Sequence, residues 1–185
     1  MKELSIHSTP TNKKANITFY VLLGAAALAV LTYILLSNLG IKKSGLVGVL
    51  AIAFITAAVF IYTKYIGVKY YYDLTLDGYG TPVFVVRQVM GKRASTLSRI
   101  SLADISRLDR ETPAERRAHS TPYGTRKYSY IPTLNPEVTY RVFVSSRYEK
   151  AEVLVEISDE IADFLRREIA EAKALALSLE EQEEY

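Results

Sequence analysis

Histidine occurs only at His7 and His119 in this 185-residue chain, and cysteine is absent. That composition excludes disulfides, Fe–S clusters, thiolate zinc sites and cysteine nucleophiles. Two histidines so far apart in sequence also give poor support for a metal centre. His119 is followed by Ser120, but adjacent residues rarely present their side chains to each other, and no orienting acid is identifiable. The pair is therefore not read as catalytic. Arg116-Arg117-Ala118-His119-Ser120 resembles a basophilic kinase substrate, in which phosphate on Ser120 or Thr121 would sit among arginines. Glycine-rich phosphate loops are missing, since Gly78-Tyr79-Gly80 reads as a hairpin turn. No catalytic constellation emerges, and neither a cofactor nor a metal is expected.

Charge is the stronger chemical signal. Residues 87–127 carry ten Lys or Arg against four acids, whereas residues 149–185 carry twelve acids against four bases. The candidate contacts are Arg87, Lys92, Arg93, Arg107, Arg110, Arg116, Arg117, Arg126 and Lys127. Such a surface could meet anionic lipid, where each Lys or Arg contributes about 1 kcal/mol, or an acidic protein partner. The competing reading is a solvated loop, 109–126, whose charges pair with the acidic C-terminal helix. Nucleic acid is not expected, because the acidic C-terminal region opposes a phosphate backbone.

The elements that must position these groups begin with two uncharged runs, Ala15–Ile41 and Ser44–Thr63. The first span is read as 17–39, 23 residues and about 34 Å long at about 1.5 Å per residue. The second, 45–66, places its single charge, Lys64, one turn from the end, where an amine can snorkel to the headgroups. A cleaved signal peptide would have a shorter apolar core of about 7–15 residues. A short connector makes the pair a transmembrane hairpin with both chain ends on one side. Lys2, Lys13, Lys14, Lys64 and Lys69 outnumber Lys42 and Lys43, which favours a multi-pass protein of the cell membrane with both termini in the cytoplasm. Ala25 with Ala29, and Ala53 with Ala57, are small-xxx-small pairs expected to form the seam. Tyr62, Lys64, Tyr65 and Tyr70 are expected at the interface, where a ring needs one apolar and one wet end. Neither span carries Asp, Glu, His or Arg, so an anchor is preferred to a conduit.

The remaining organisation is a tail over 1–16, a cytoplasmic domain over 67–177 and an acidic tail over 178–185, expected to be frayed. In the domain, alternation and turn residues predict strands at 69–76, 82–89, 95–102, 127–131, 137–145 and 150–157, with a further strand starting near Ile105. Ser158 is placed to cap a helix whose apolar face is Ile161, Leu165, Ile169 and Ala172. The fold class is thus α+β, with six or seven antiparallel strands closed at one end by an amphipathic helix.

The order of Leu74-Thr75-Leu76-Asp77-Gly78, Val83–Val86, Gly91-Lys92-Arg93 and Arg99-Ile100-Ser101-Leu102-Ala103-Asp104-Ile105 resembles the bacterial pleckstrin-homology-like domains over about Lys69 to Ala172. That resemblance implies a partly open barrel with a capping C-terminal helix, beside membrane helices, acting as a binding or assembly scaffold without catalytic residues. The expected partners are the lipid bilayer and a protein partner or a second copy. The alternative is a component of a membrane enzyme or transport complex, with the hairpin as the working part and the domain regulatory.

Overall fold

The computed structural model describes residues 4–8, 12–41, 44–146 and 149–183. The chain divides into two compact units, Pro10–Val68 and a second made of Met1–Thr9 with Lys69–Tyr185.

The first unit pairs α1 (Lys13–Asn38) with α2 (Ser44–Ile61), the latter running into a π turn, Tyr62–Ile66. Both helices are long and apolar enough to cross a membrane, and 11% of each span is buried. Leu28, Leu46 and Ile52 are 66–70% exposed, and many other large apolar side chains of the two helices are exposed as well. The hydroxyls of Thr32 and Thr56 donate to Leu28 O and Ile52 O, each at 2.9 Å, so they present no free donor outward. α1 ends in a Schellman motif: Gly40 N donates to Ser37 O (3.0 Å) and Ile41 N to Leu36 O (3.1 Å), with Gly40 at φ +71°. The Asn12 side-chain amide donates to Tyr65 O at 2.6 Å and ties the start of α1 to the end of α2.

The seam differs from the expected one. Ala15, Ala26, Ala51 and Ala58 are buried, whereas Ala25, Ala29 and Ala57 are only partly covered and Ala53 is exposed. Separations of eleven and seven residues are close to three and two helical turns, so each buried pair stays on one face. The line of closest approach therefore runs one residue along from Ala25 and Ala57. Gly48 completes it, since a Cβ there would meet the Tyr33 ring at 3.5 Å.

In the second unit, β1 (Leu4–Ser8), β2 (Val68–Leu76), β3 (Pro82–Met90) and β4 (Arg93–Ser101) form one sheet in that order. The other contains β5 (Ile105–Glu111), β6 (Arg126–Tyr130), β7 (Thr139–Ser145) and β8 (Lys150–Val155), in the order β5-β7-β8-β6. A 3₁₀ turn, Leu102–Asp104, joins the sheets; α3 (Pro113–Ala118) follows β5 and α4 (Asp159–Glu183) follows β8.

Three features depart from expectation. There are eight described strands in two sheets that do not close into one. The stretch read as a tail supplies β1, whose residues pair with β2 from Leu4↔Leu74 to Ser8↔Tyr70. Its two apolar residues, alternating with Ser and His, are too short a pattern to announce a strand. β6 runs parallel to β8, from Arg126↔Ala151 to Tyr130↔Val155. The chain between β5 and β6 is long enough to carry β6 past β7 and β8 to the far edge, where its direction matches β8. At the other end, the acidic tail continues α4 through Glu183, and Glu184 and Tyr185 lie outside the described residues, as do Lys42 and Lys43 of the connector and Lys2.

The core lies between the sheets and under α4. Tyr72 stacks on Phe84 with ring centres 6.2 Å apart, and its hydroxyl donates to Tyr130 O at 2.7 Å while accepting from Glu156 N at 3.3 Å. Burial raises the Tyr72 phenol above its ordinary value despite that backbone contact. Ser158 caps α4 through Ile161 N (3.4 Å), and Ala162, Leu165, Ile169 and Ala172 form the buried stripe. Ile161 is half-buried, because the stripe is centred one residue further along.

Candidate functional site

Sheet register places charged groups on the outer face of the second sheet. Directly opposed residues share a face, so Glu111 and Thr139, Asp109 and Arg141, and Phe143 and Glu152 lie together, while Tyr140, Val142 and Val153 face the core. The segment 112–125 covers that outer face. It starts from a capping box in which Thr112 N donates to Glu115 Oε2 (2.7 Å) and Glu115 N donates to Thr112 Oγ1 (3.4 Å). Thr112 N and the Thr112 hydroxyl, which donates to the same oxygen at 2.8 Å, hold the Glu115 carboxyl below the usual carboxylate range. Pro113 opens the helix, where its missing N–H costs nothing.

Beneath this cover Arg141 is fully buried. Its Nε and Nη2 donate to the two Glu111 oxygens at 2.5 and 2.8 Å, and its Nη1 donates to Glu152 Oε2 at 2.5 Å. Thr121 Oγ1 also donates to Glu152 Oε2, at 3.1 Å, and His119 Nε2 lies 3.1 Å from both Glu152 oxygens. The His119 ring meets Phe143 edge-on at 6.3 Å. Burial by itself would raise the Glu152 carboxyl, but the bonds from His119, Arg141 and Thr121 outweigh it and leave the group below its ordinary value. Glu156 shows the opposite balance: burial raises its carboxyl, and the Thr133 N and Oγ1 bonds at 3.2 and 2.7 Å do not fully offset that.

This constellation has the residue types of acid–base chemistry in a different arrangement. Thr121 directs its proton to Glu152 rather than to His119, and the Glu152 carboxylate is already shared among three partners. It serves to hold the cover segment on the sheet. Sequence reasoning missed Arg141, Glu111 and Glu152; the available signal was an arginine at the centre of the 137–145 strand, a position that demands a buried counter-charge.

The basic candidates do not converge. Arg87 pairs with the buried Asp73, Arg107 with Asp109 at 2.8 Å, Arg110 with Asp159 at 3.2 Å and Arg126 with Glu149 at 3.5 Å. Arg107 also stacks on the Phe143 ring at 4.3 Å. Arg116 donates to Pro136 O at 2.9 Å and to Thr139 Oγ1 at 3.4 Å, and burial lowers its guanidinium below the ordinary value. Arg117 donates to Pro113 O at 3.1 Å, and Lys92, Arg93 and Lys127 are exposed. Asp159, at the start of α4, is held below the usual range by Tyr140 and Arg110. Among the expected interface residues, Tyr62 is exposed and Lys64 lies over the Phe60 and Tyr65 rings at 5.5 and 5.4 Å. Tyr70 is a correction: it is buried, with its ring 6.1 Å from that of Tyr130, because β2 turns it into the domain.

An open cleft of about 350 Å³ adjoins the other face of the second sheet. Tyr128, Val144, Ala151 and Val153 form its floor, and consecutive residues Leu97 to Ser101 of β4 form its wall. Comparison with protein families, with curated proteins and with solved structures finds no match to this chain.

Proposed function

We propose that this protein is a non-enzymatic, membrane-anchored binding module whose pleckstrin-homology-like domain holds a protein partner at the cytoplasmic face of the cell membrane. The observation that carries the anchoring is the position of the hairpin in the chain: it separates β1 from β2, and Ser8 at the end of β1 pairs with Tyr70 near the start of β2. Both ends of the hairpin therefore return to one place, as two spans of a membrane require. The lysine bias supports the cytoplasm as that side. Strand-rich sheets followed by the apolar stripe of α4 support the pleckstrin-homology-like reading.

A protein partner is favoured over an anionic lipid surface because the basic candidates are dispersed and mostly engaged within the chain. A lipid surface would need several of them free on one face. The anchoring is tested by alkaline carbonate extraction together with protease accessibility of tags at the two termini and in the connector. Retention in the membrane pellet, with both termini reachable from the cytoplasmic side and the connector protected, is the expected result. Release by carbonate overturns it.

A further inference from the structure

Among the described residues, sheet order leaves β4 with a strand on one side only, bonded to β3 from Val83↔Ser101 to Met90↔Arg93. Side chains of a strand alternate between faces, so a cavity against one face touches every second residue. The cleft instead touches Leu97, Ser98, Arg99, Ile100 and Ser101 in succession. It therefore borders the edge of β4, where main-chain N–H and C=O groups await a partner.

The charges along the rim are specific. Glu149 is held by Arg126 at 3.5 Å and by the Tyr128 hydroxyl at 3.3 Å. Arg99 and Asp104, by contrast, have no ion-pair partner among the described residues. They carry opposite charge and both line the cleft, Arg99 within β4 and Asp104 at the end of the 3₁₀ turn that follows it.

We infer that the β4 edge is a peptide-docking site, which adds an extended segment of a partner protein as a further strand of the first sheet. The segment runs antiparallel to β4, continuing the alternation of that sheet. It directs an apolar side chain over Ile100 and Val153, with a basic residue upstream toward Asp104 and an acidic residue downstream toward Arg99. This site rests on the reading of the domain as a protein-binding module, and it names the chemistry of the partner.

The full chain in lipid nanodiscs is titrated with two fluorescent eight-residue peptides of alternating valine and threonine. One carries lysine near its N-terminus and glutamate near its C-terminus, and the other has these exchanged. The first is expected to bind better, by up to about fivefold for each rim pair, and to slow amide exchange across 97–101 by about tenfold or more at saturation. Arg99→Glu combined with Asp104→Lys, both at the rim, is expected to reverse the preference. Absence of exchange protection at 97–101, equal binding to empty nanodiscs, or a preference unchanged by the double reversal overturns the site. Carbonate extraction is independent of all three outcomes, so loss of this site and loss of the membrane reading are distinguishable.

Discussion

Arg141 and Glu111 form a bidentate pair, at 2.5 and 2.8 Å, with both side chains buried beneath a segment that the local sequence marks only as a loop. Glu152 takes the remaining Arg141 nitrogen, and through His119 and Thr121 the same carboxylate grips the cover. The arginine thus joins β5, β7, β8 and the covering segment, and the charges that look available for binding are partly the cement of the fold.

Arg141→Met removes the counter-charge and leaves two carboxylates buried without it. The expected loss is about 3–5 kcal/mol in chemical unfolding of the domain. Replacing Glu111 and Glu152 with Gln in the same chain is expected to recover part of that loss. An Arg141→Met protein as stable as the parent contradicts the assigned network.

Acid should act on the buried Glu152 and the half-buried Glu156 in opposite directions. Glu152 has a lowered pKa in the folded state, so its contribution is complete above the ordinary carboxylate value, about 4.3, and is lost as pH falls through the folded value. Glu156 has a raised one, so its charged form opposes folding at neutral pH and protonation relieves this as pH falls. Glu152→Gln is expected to lower stability at neutral pH and flatten the acid limb. Glu156→Gln is expected to raise neutral stability, with the gain vanishing in acid. Urea midpoints measured across pH separate the two.

The hairpin seam makes a third expectation. Ala26→Leu or Ala58→Leu inserts bulk between packed helices and should cost about 1–3 kcal/mol, whereas Ala53→Leu adds a side chain to an exposed face and should be nearly neutral. Detergent titration of helix pairing reads the difference. Equal effects at Ala26 and Ala53 would place the seam elsewhere.

Thr112→Ala removes the side-chain half of the capping box and should weaken the start of α3 by about 1 kcal/mol. The cover then opens more often, and trypsin should cut after Arg116 or Arg117 about fivefold faster when reclosing outpaces cleavage. An unchanged rate means that the box does not limit opening.

Local signals were legible wherever an element carries its own pattern. Seven strands of the domain, the Ser158 cap and both long helices lie within a few residues of where alternation, turn residues and apolar runs place them. The candidate sites were less legible. A row of arginines shows charge but not which acids neutralise it, and Tyr70 beside a span suits a membrane interface until β2 turns it inward.

By itself, then, the sequence determined the elements and their order, because the periods of helix and strand, the turn residues and the caps act over a few neighbouring positions. Tertiary structure decided which elements meet. β1 finds its partner on the far side of the helical hairpin, β6 crosses to lie parallel to β8, and the seam settles on Ala26 and Ala58 instead of their neighbours. It also turned Arg141 from an interruption in a strand into the centre of a buried network. Pairing and burial depend on contacts between segments distant in sequence, and no local pattern records the free energy of those contacts.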